Sequence, residues 1–189
     1  EINIASNLPS SRAKVFLESR FYIRDALSNL FDLNPLEIPL RANPGEPPEL
    51  PKGMGYLSFS HCRDAIILVW HEKKIGIDIE RQDRDFNYAK LAKKYFFNSN
   101  LSNDTRELYK NSILNQWCAI EAAIKWDHGK LAEDIKEWQY SENKKTLFYK
   151  KKKLKLKITQ INFYQWTISL AYKDSSHYIP NIICSSKIV

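Results

Sequence analysis

A chain of 189 residues with 43% hydrophobic and 13% aromatic content can bury one sizeable core, or two small halves that share an interface. The formal net charge of +7 points to a polyanionic partner, whether nucleic acid, an anionic membrane surface, a phosphate-rich ligand or an acidic protein, and does not choose among them. Cys62, Cys118 and Cys184 are odd in number, widely spaced and free of any C-x-x-C, which argues against a disulfide framework or zinc knuckle and favours a reducing, cytoplasmic setting.

Residues 12–31 carry Phe16, Phe21, Ile23, Leu27, Leu30 and Phe31 at helical spacing and predict an amphipathic helix. Arg20 and Arg24, four apart, fall together on its polar side. Residues 41–55 hold four prolines and three glycines and read as an ordered loop. Residues 56–60 alternate, 65–70 are continuously apolar and 75–80 alternate again, which predicts an antiparallel meander with turns near Arg63 and Lys73. Helices are expected over 87–97 and over 105 to about 125. A Lys-rich hairpin follows at 146–158, and residues 164–172 echo the run at 65–70. The order helix, loop, strands thus occurs twice, with a seam near 81–86. The apolar run at 65–70 is too short to span a bilayer, and the N-terminus lacks the organisation of a signal peptide. Because the chain starts at Glu1 without a methionine, a few residues are expected upstream.

Three short stretches can carry chemistry. In Ile75-Gly76-Ile77-Asp78-Ile79-Glu80, period-two geometry puts the isoleucines on one face and Asp78 and Glu80 together on the other. Two such carboxylates suit a hard, oxygen-ligated cation such as Mg²⁺; an acidic outer face on a half-exposed strand is the other reading. In the helix over 105–125, Ile113, Trp117, Ile120 and Ile124 form an apolar stripe flanked by Glu121 and Lys125. Glu121 can give a third metal carboxylate or a general base and Lys125 can neutralise a phosphate, or the two form an ordinary exposed helix pair. At Phe59-Ser60-His61, alternation sends His61 to the side of Leu57 and Phe59 and Ser60 to the other; His61 is either a phosphate donor or a half-buried structural histidine.

In this order, the three stretches resemble the motifs of the 4′-phosphopantetheinyl transferases of the two-domain, Sfp type: a Ser-His step ending a strand, an I/V-G-I/V-D-I/L-E strand, and a helical W-x-x-K-E-A-x-x-K, here Phe59 to His61, Ile75 to Glu80 and Trp117 to Lys125. The resemblance spans nearly the whole chain. Residues 12–27 look like the family's Arg-bearing first helix, Gly45-Glu46-Pro47 stands where a G-K-P step is usual, and Ala92-Lys93-Lys94-Tyr95-Phe96-Phe97 is similar to the helix after the D-x-E motif.

The resemblance implies an α+β fold of two similar halves, 1–82 and 83–189, related by a pseudo-twofold with the active site at their interface. It implies Asp78, Glu80 and Glu121 as ligands of Mg²⁺, with Mn²⁺ as the alternative metal. Lys125 would contact the pyrophosphate of coenzyme A, Ser60 and His61 its 3′-phosphate end, and Arg20 and Arg24 further phosphates. Glu121 and Lys125 would be the catalytic pair. The expected partner is an acyl or peptidyl carrier protein, and neither nucleic acid nor membrane is expected; a monomer would suffice. Departures from the family pattern are Ile120 in place of a lysine, which fits the apolar stripe, Glu46 in place of the G-K-P lysine, Leu101 in place of an acidic residue, and Trp126-Asp127-His128-Gly129-Lys130 in place of a small, glycine-rich stretch. A non-catalytic relative that binds coenzyme A or a carrier protein is the nearest alternative, and a basic RNA-binding module built on the lysines of 150–157 is the second.

Overall fold

The computed structural model describes residues 1–43, 45–96, 106–173 and 181–185. A short helix α1 (Ile2–Ala5) leads into α2 (Ser10–Phe31), then come β1 (Tyr56–His61), β2 (Ile66–His71) and β3 (Ile75–Arg81). Next are α3 (Tyr88–Tyr95), α4 (Arg106–Asp127) and the one-turn α5 (Leu131–Asp134), followed by β4 (Trp138–Ser141), β5 (Thr146–Tyr149), β6 (Leu154–Phe163), β7 (Trp166–Tyr172) and β8 (Asn181–Ser185). The class is α+β. The expected helix ends at Phe97 and Thr105, and the departure at Leu101, lie outside the described residues.

The expected meander of the first three strands is only half correct. β1 pairs antiparallel with β2, and β8 adds to the far side of β2, giving a three-stranded sheet. β3 instead joins β7 in a five-stranded antiparallel sheet of order β3-β7-β6-β5-β4. The serines of β1 supply the reason: Ser58 Oγ accepts from the Ile77 backbone N–H at 3.1 Å, so side chains rather than a ladder meet that edge of β3. Both sheets therefore combine strands from before and after residue 82.

Alternation sorts the strands into layers. In β2, Leu68 faces Ile23 and Leu27 of α2, while Ile67 and Val69 face Ile75, Ile77 and Ile79 of β3 and Ile168 and Leu170 of β7. The three β3 isoleucines are essentially inaccessible, and burying each contributes roughly 2 kcal/mol. The other face of β3 lies under α4, which is buried on more than the expected stripe: Leu114, Cys118, Ala119, Ala122, Ala123 and Trp126 are covered as well as Ile113, Ile120 and Ile124.

Gly76 sets how closely α4 lies on β3. A Cβ built there would collide with the Ala122 carbonyl oxygen and stand 2.6 Å from the Trp126 backbone nitrogen. Only glycine tolerates that approach of backbone to strand. Trp126 fixes the helix end by donating from Nε1 to the Lys74 carbonyl at 2.8 Å.

On α2, the buried positions are Phe16, Ser19, Arg20, Ile23 and Leu27. Phe21 is 62% exposed, because it lies well off the face defined by Phe16, Ile23 and Leu27. Arg20, expected on the polar side, is 4% exposed, since it follows Phe16 by four residues and precedes Ile23 by three. The described residues of 41–55 form a loop without strands except an isolated Arg41–Glu49 bridge. No helix among the described residues is long and apolar enough to cross a membrane. Cys62 and Cys118 are free thiols.

Candidate active site

A cleft of about 420 Å³ opens where β1, β3 and α4 meet, within the size range of small-ligand sites. Ser60, His61, Asp78, Glu80, Glu121 and Lys125, all picked out in the sequence, line it together. The strand pleat aims Asp78 and Glu80 away from the isoleucine core, and the close approach over Gly76 brings Glu121 and Lys125 down to them. The reading of Asp78 as part of a half-exposed acidic face does not hold, for Asp78 is 2% exposed.

At the floor, three groups bind one another. Lys125 Nζ donates to Asp78 Oδ1 at 2.6 Å and to Ser60 Oγ at 2.7 Å, and Ser60 Oγ donates to Asp78 Oδ1 at 2.7 Å. Glu121 and Lys125 are thus not an exposed helix pair; the lysine reaches across to the strand. Asp78 Oδ2 is buried with no hydrogen-bond partner. Glu80 Oε1 accepts from Arg84 at 2.6 Å and from the Trp117 indole at 3.2 Å.

Electrostatics follow from this crowding. Burial and then the neighbouring Asp78 charge push the Glu121 carboxyl up to about 8, against the opposing pull of Lys125. Burial raises Glu80 as well, although Arg84 opposes it. Burial lowers the Lys125 ammonium, but Asp78 and Glu121 outweigh that and hold it above its ordinary value. Burial and Lys125 lower His61. A hydroxyl next to an amine suggests a Ser-Lys nucleophile pair, yet a base must be neutral and Lys125 is held charged. Ser60 moreover gives its proton to Asp78. Two cations, Lys125 and Arg84, thus face three carboxyl groups, Asp78, Glu80 and Glu121.

The donor set fits a hard divalent cation in chemistry and charge: three carboxylates on one cleft, one with an orphaned buried oxygen and one driven toward its neutral form. Among the described residues, however, no three His, Cys, Asp or Glu side chains are gathered into a metal-holding group as they stand. Lys125 and Ser60 occupy one oxygen of Asp78, and Arg84 and Trp117 one oxygen of Glu80.

The remaining expectations separate. His61 stands at the rim with its ring stacked on Phe59, centroids 6.5 Å apart. Arg20 and Arg24 are not among the lining residues. Arg20 lies behind Phe59, its guanidinium 4.5 Å from the Phe16 ring centroid and 5.7 Å from that of Phe59, and donates to the Ala42 carbonyl from Nε and Nη2. Arg24 donates to Glu1 and to the Pro35 and Ile38 carbonyls. Glu46 does border the cleft, with its carboxylate accepting from Asn43 at 2.7 Å.

Sequence reasoning missed His128 and Gly129, which also line the cleft. His128 ends α4 in a left-handed conformation, φ 56°, and Gly129 N donates to the Ile124 carbonyl. A His-Gly step directly after an apolar helix was the available signal for that cap. Burial and Lys74 lower the His128 imidazole.

No protein-family model matches the chain, and no curated protein matches it.

Proposed function

We propose that this protein is a 4′-phosphopantetheinyl transferase that moves phosphopantetheine from coenzyme A to a serine of an acyl or peptidyl carrier protein. The observation that carries the reading is the meeting, in one cleft, of six residues drawn from motifs up to 65 positions apart, with carboxylates in excess of cations.

Asp78, Glu80 and Glu121 would hold Mg²⁺ or Mn²⁺. The bound ion would supply charge neutralisation on the pyrophosphate oxygens. Lys125, held charged at the cleft floor, would face the same phosphates. The serine oxygen of the carrier attacks the phosphorus bearing the pantetheine arm, a new P–O bond forms, the pyrophosphate P–O bond breaks, and 3′,5′-ADP leaves. In its deprotonated form Glu121 would take the serine proton, directly or through water. Ser60 orients Asp78 and Lys125, and His61 at the rim would contact a phosphate.

The reading extends to two related halves, 1–82 and 83–189. In support, β2 and β7, the two echoing apolar runs, both lie between two neighbours within their sheets. Glu46 at the cleft mouth favours a second reading, a relative that binds without turnover, because a carboxylate there repels phosphate.

Intact-mass analysis of apo carrier protein incubated with this protein, coenzyme A and Mg²⁺ tests the proposal. A gain of one phosphopantetheine, abolished by EDTA, is expected. Unchanged mass across several carrier types, with coenzyme A still bound, would leave the binding-only relative.

A further inference from the structure

The Lys-rich hairpin takes no part in the cleft. Its surroundings form a second groove of about 730 Å³, lined by β4, β5 and β6 together with residues of α3 and α4. β4 is the outermost strand of the five-stranded sheet, with β5 its sole described strand neighbour. In an antiparallel pair, every second residue of such an edge turns its N–H and C=O outward.

The groove is strongly basic. Lys136, Lys144, Lys150 and Lys155 line it, all exposed, and among the described residues none of them is in an ion pair. Glu142 is the one carboxylate among its lining residues. Strand register sets Gln139, Phe148 and Lys155 in a row across β4, β5 and β6, with Phe148 40% exposed. Trp138 forms part of the wall, and its buried indole N–H has no acceptor.

We infer that this groove binds an extended acidic segment of another polypeptide, which adds to the edge of β4 as a further strand. Backbone groups of β4 supply register, the four lysines select carboxylates, and Phe148 offers an apolar seat for an alternate side chain. Single-stranded nucleic acid suits the groove less well, because stacking of successive bases needs several open rings and Phe148 is the one exposed ring among its lining residues. Trp138 and Tyr149 are stacked on each other, centroids 4.6 Å apart at 13°, inside the core. This inference is independent of the chemistry in the cleft.

The test uses the full chain and a fluorescein-labelled peptide, Val-Glu-Val-Glu-Val-Glu-Val, read by anisotropy and by amide hydrogen exchange. Binding is expected with slowed exchange within residues 139–141. Lys144→Glu with Lys155→Glu should weaken it at least about tenfold, as should a peptide with proline in place of the valine at its third position, which keeps the charge and removes a ladder donor. Should the doubly reversed variant misfold by circular dichroism, Lys144→Gln with Lys155→Gln gives the same comparison. Equal binding of the proline peptide, or unchanged exchange in β4, would overturn strand addition. Absence of peptide binding at millimolar concentration would overturn the site, and tighter binding of oligouridylate, with steep salt dependence, would assign the groove to nucleic acid.

Discussion

Two 22-residue helices each present a pair of charged residues four apart, Arg20 and Arg24 on α2 and Glu121 and Lys125 on α4. In sequence the two pairs look alike. In the fold, the arginines have their donors taken by carbonyls of the following loop, by Ser19 and by Glu1, and Arg20 is packed between Phe16 and Phe59. The α4 pair stands among groups left in imbalance, with an orphaned oxygen on Asp78 and a carboxyl raised to about 8 on Glu121. Satisfied polar groups build a scaffold; unsatisfied ones in a cleft await a ligand.

The sharpest break between the pairs is expected at Asp78. Asp78→Asn should lower transfer by at least about a thousandfold, the scale of losing a central charge-stabilising group, with the urea midpoint little changed. Asparagine is the better probe here than alanine, since alanine would strand Lys125 and Ser60 without a buried acceptor. Wild-type transfer in Asp78→Asn would remove the cleft from the reaction. Next comes the contact that assembles the cleft. Gly76→Ala should cost roughly 3 kcal/mol in urea unfolding, because the new methyl meets α4 backbone rather than a flexible side chain. A wild-type midpoint would mean that α4 does not lie so close.

Arg20 provides the opposite control. Arg20→Ala should destabilise by about 2 kcal/mol through lost hydrogen bonds to Ala42 and lost stacking on two rings, yet keep transfer at saturating coenzyme A. Loss of turnover with intact stability would place Arg20 at the phosphates after all and erase the contrast with α4.

Much of this was legible in the residues, and what was not has physical causes. Periodicity located α2, α4 and the first three strands, and alternation put Asp78 and Glu80 on one face, because those signals are local. The partner of β3 was not legible: an apolar strand fits beside β2 as readily as beside β7, and Ser58 at the edge of β3 decides only once β1 is in place. Arg20 was misplaced because its charge outweighed its position between Phe16 and Ile23 on the buried face. The span of Lys125 to Ser60 and Asp78 was invisible for another reason, since nothing in a helix sequence says which strand lies opposite. Edge strand β4, four residues long, carried too short a pattern to stand out.

The pH dependence of stability reads the imbalance directly. Glu121 binds its proton more tightly in the folded chain, near pH 8, than in the unfolded chain, near 4.5. Its contribution to stability is therefore complete below about pH 4.5 and is lost as pH rises through 8, with Glu80 acting in the same sense. In EDTA, unfolding free energy should fall by roughly 3 kcal/mol between pH 5 and 8, and Glu121→Gln should flatten the decline. Mg²⁺ should restore stability more at pH 8 than at pH 5, because a cation binds the deprotonated carboxylates. A flat profile in the wild type would mean that Glu121 is already compensated, and the two helices would then differ far less than their surroundings indicate.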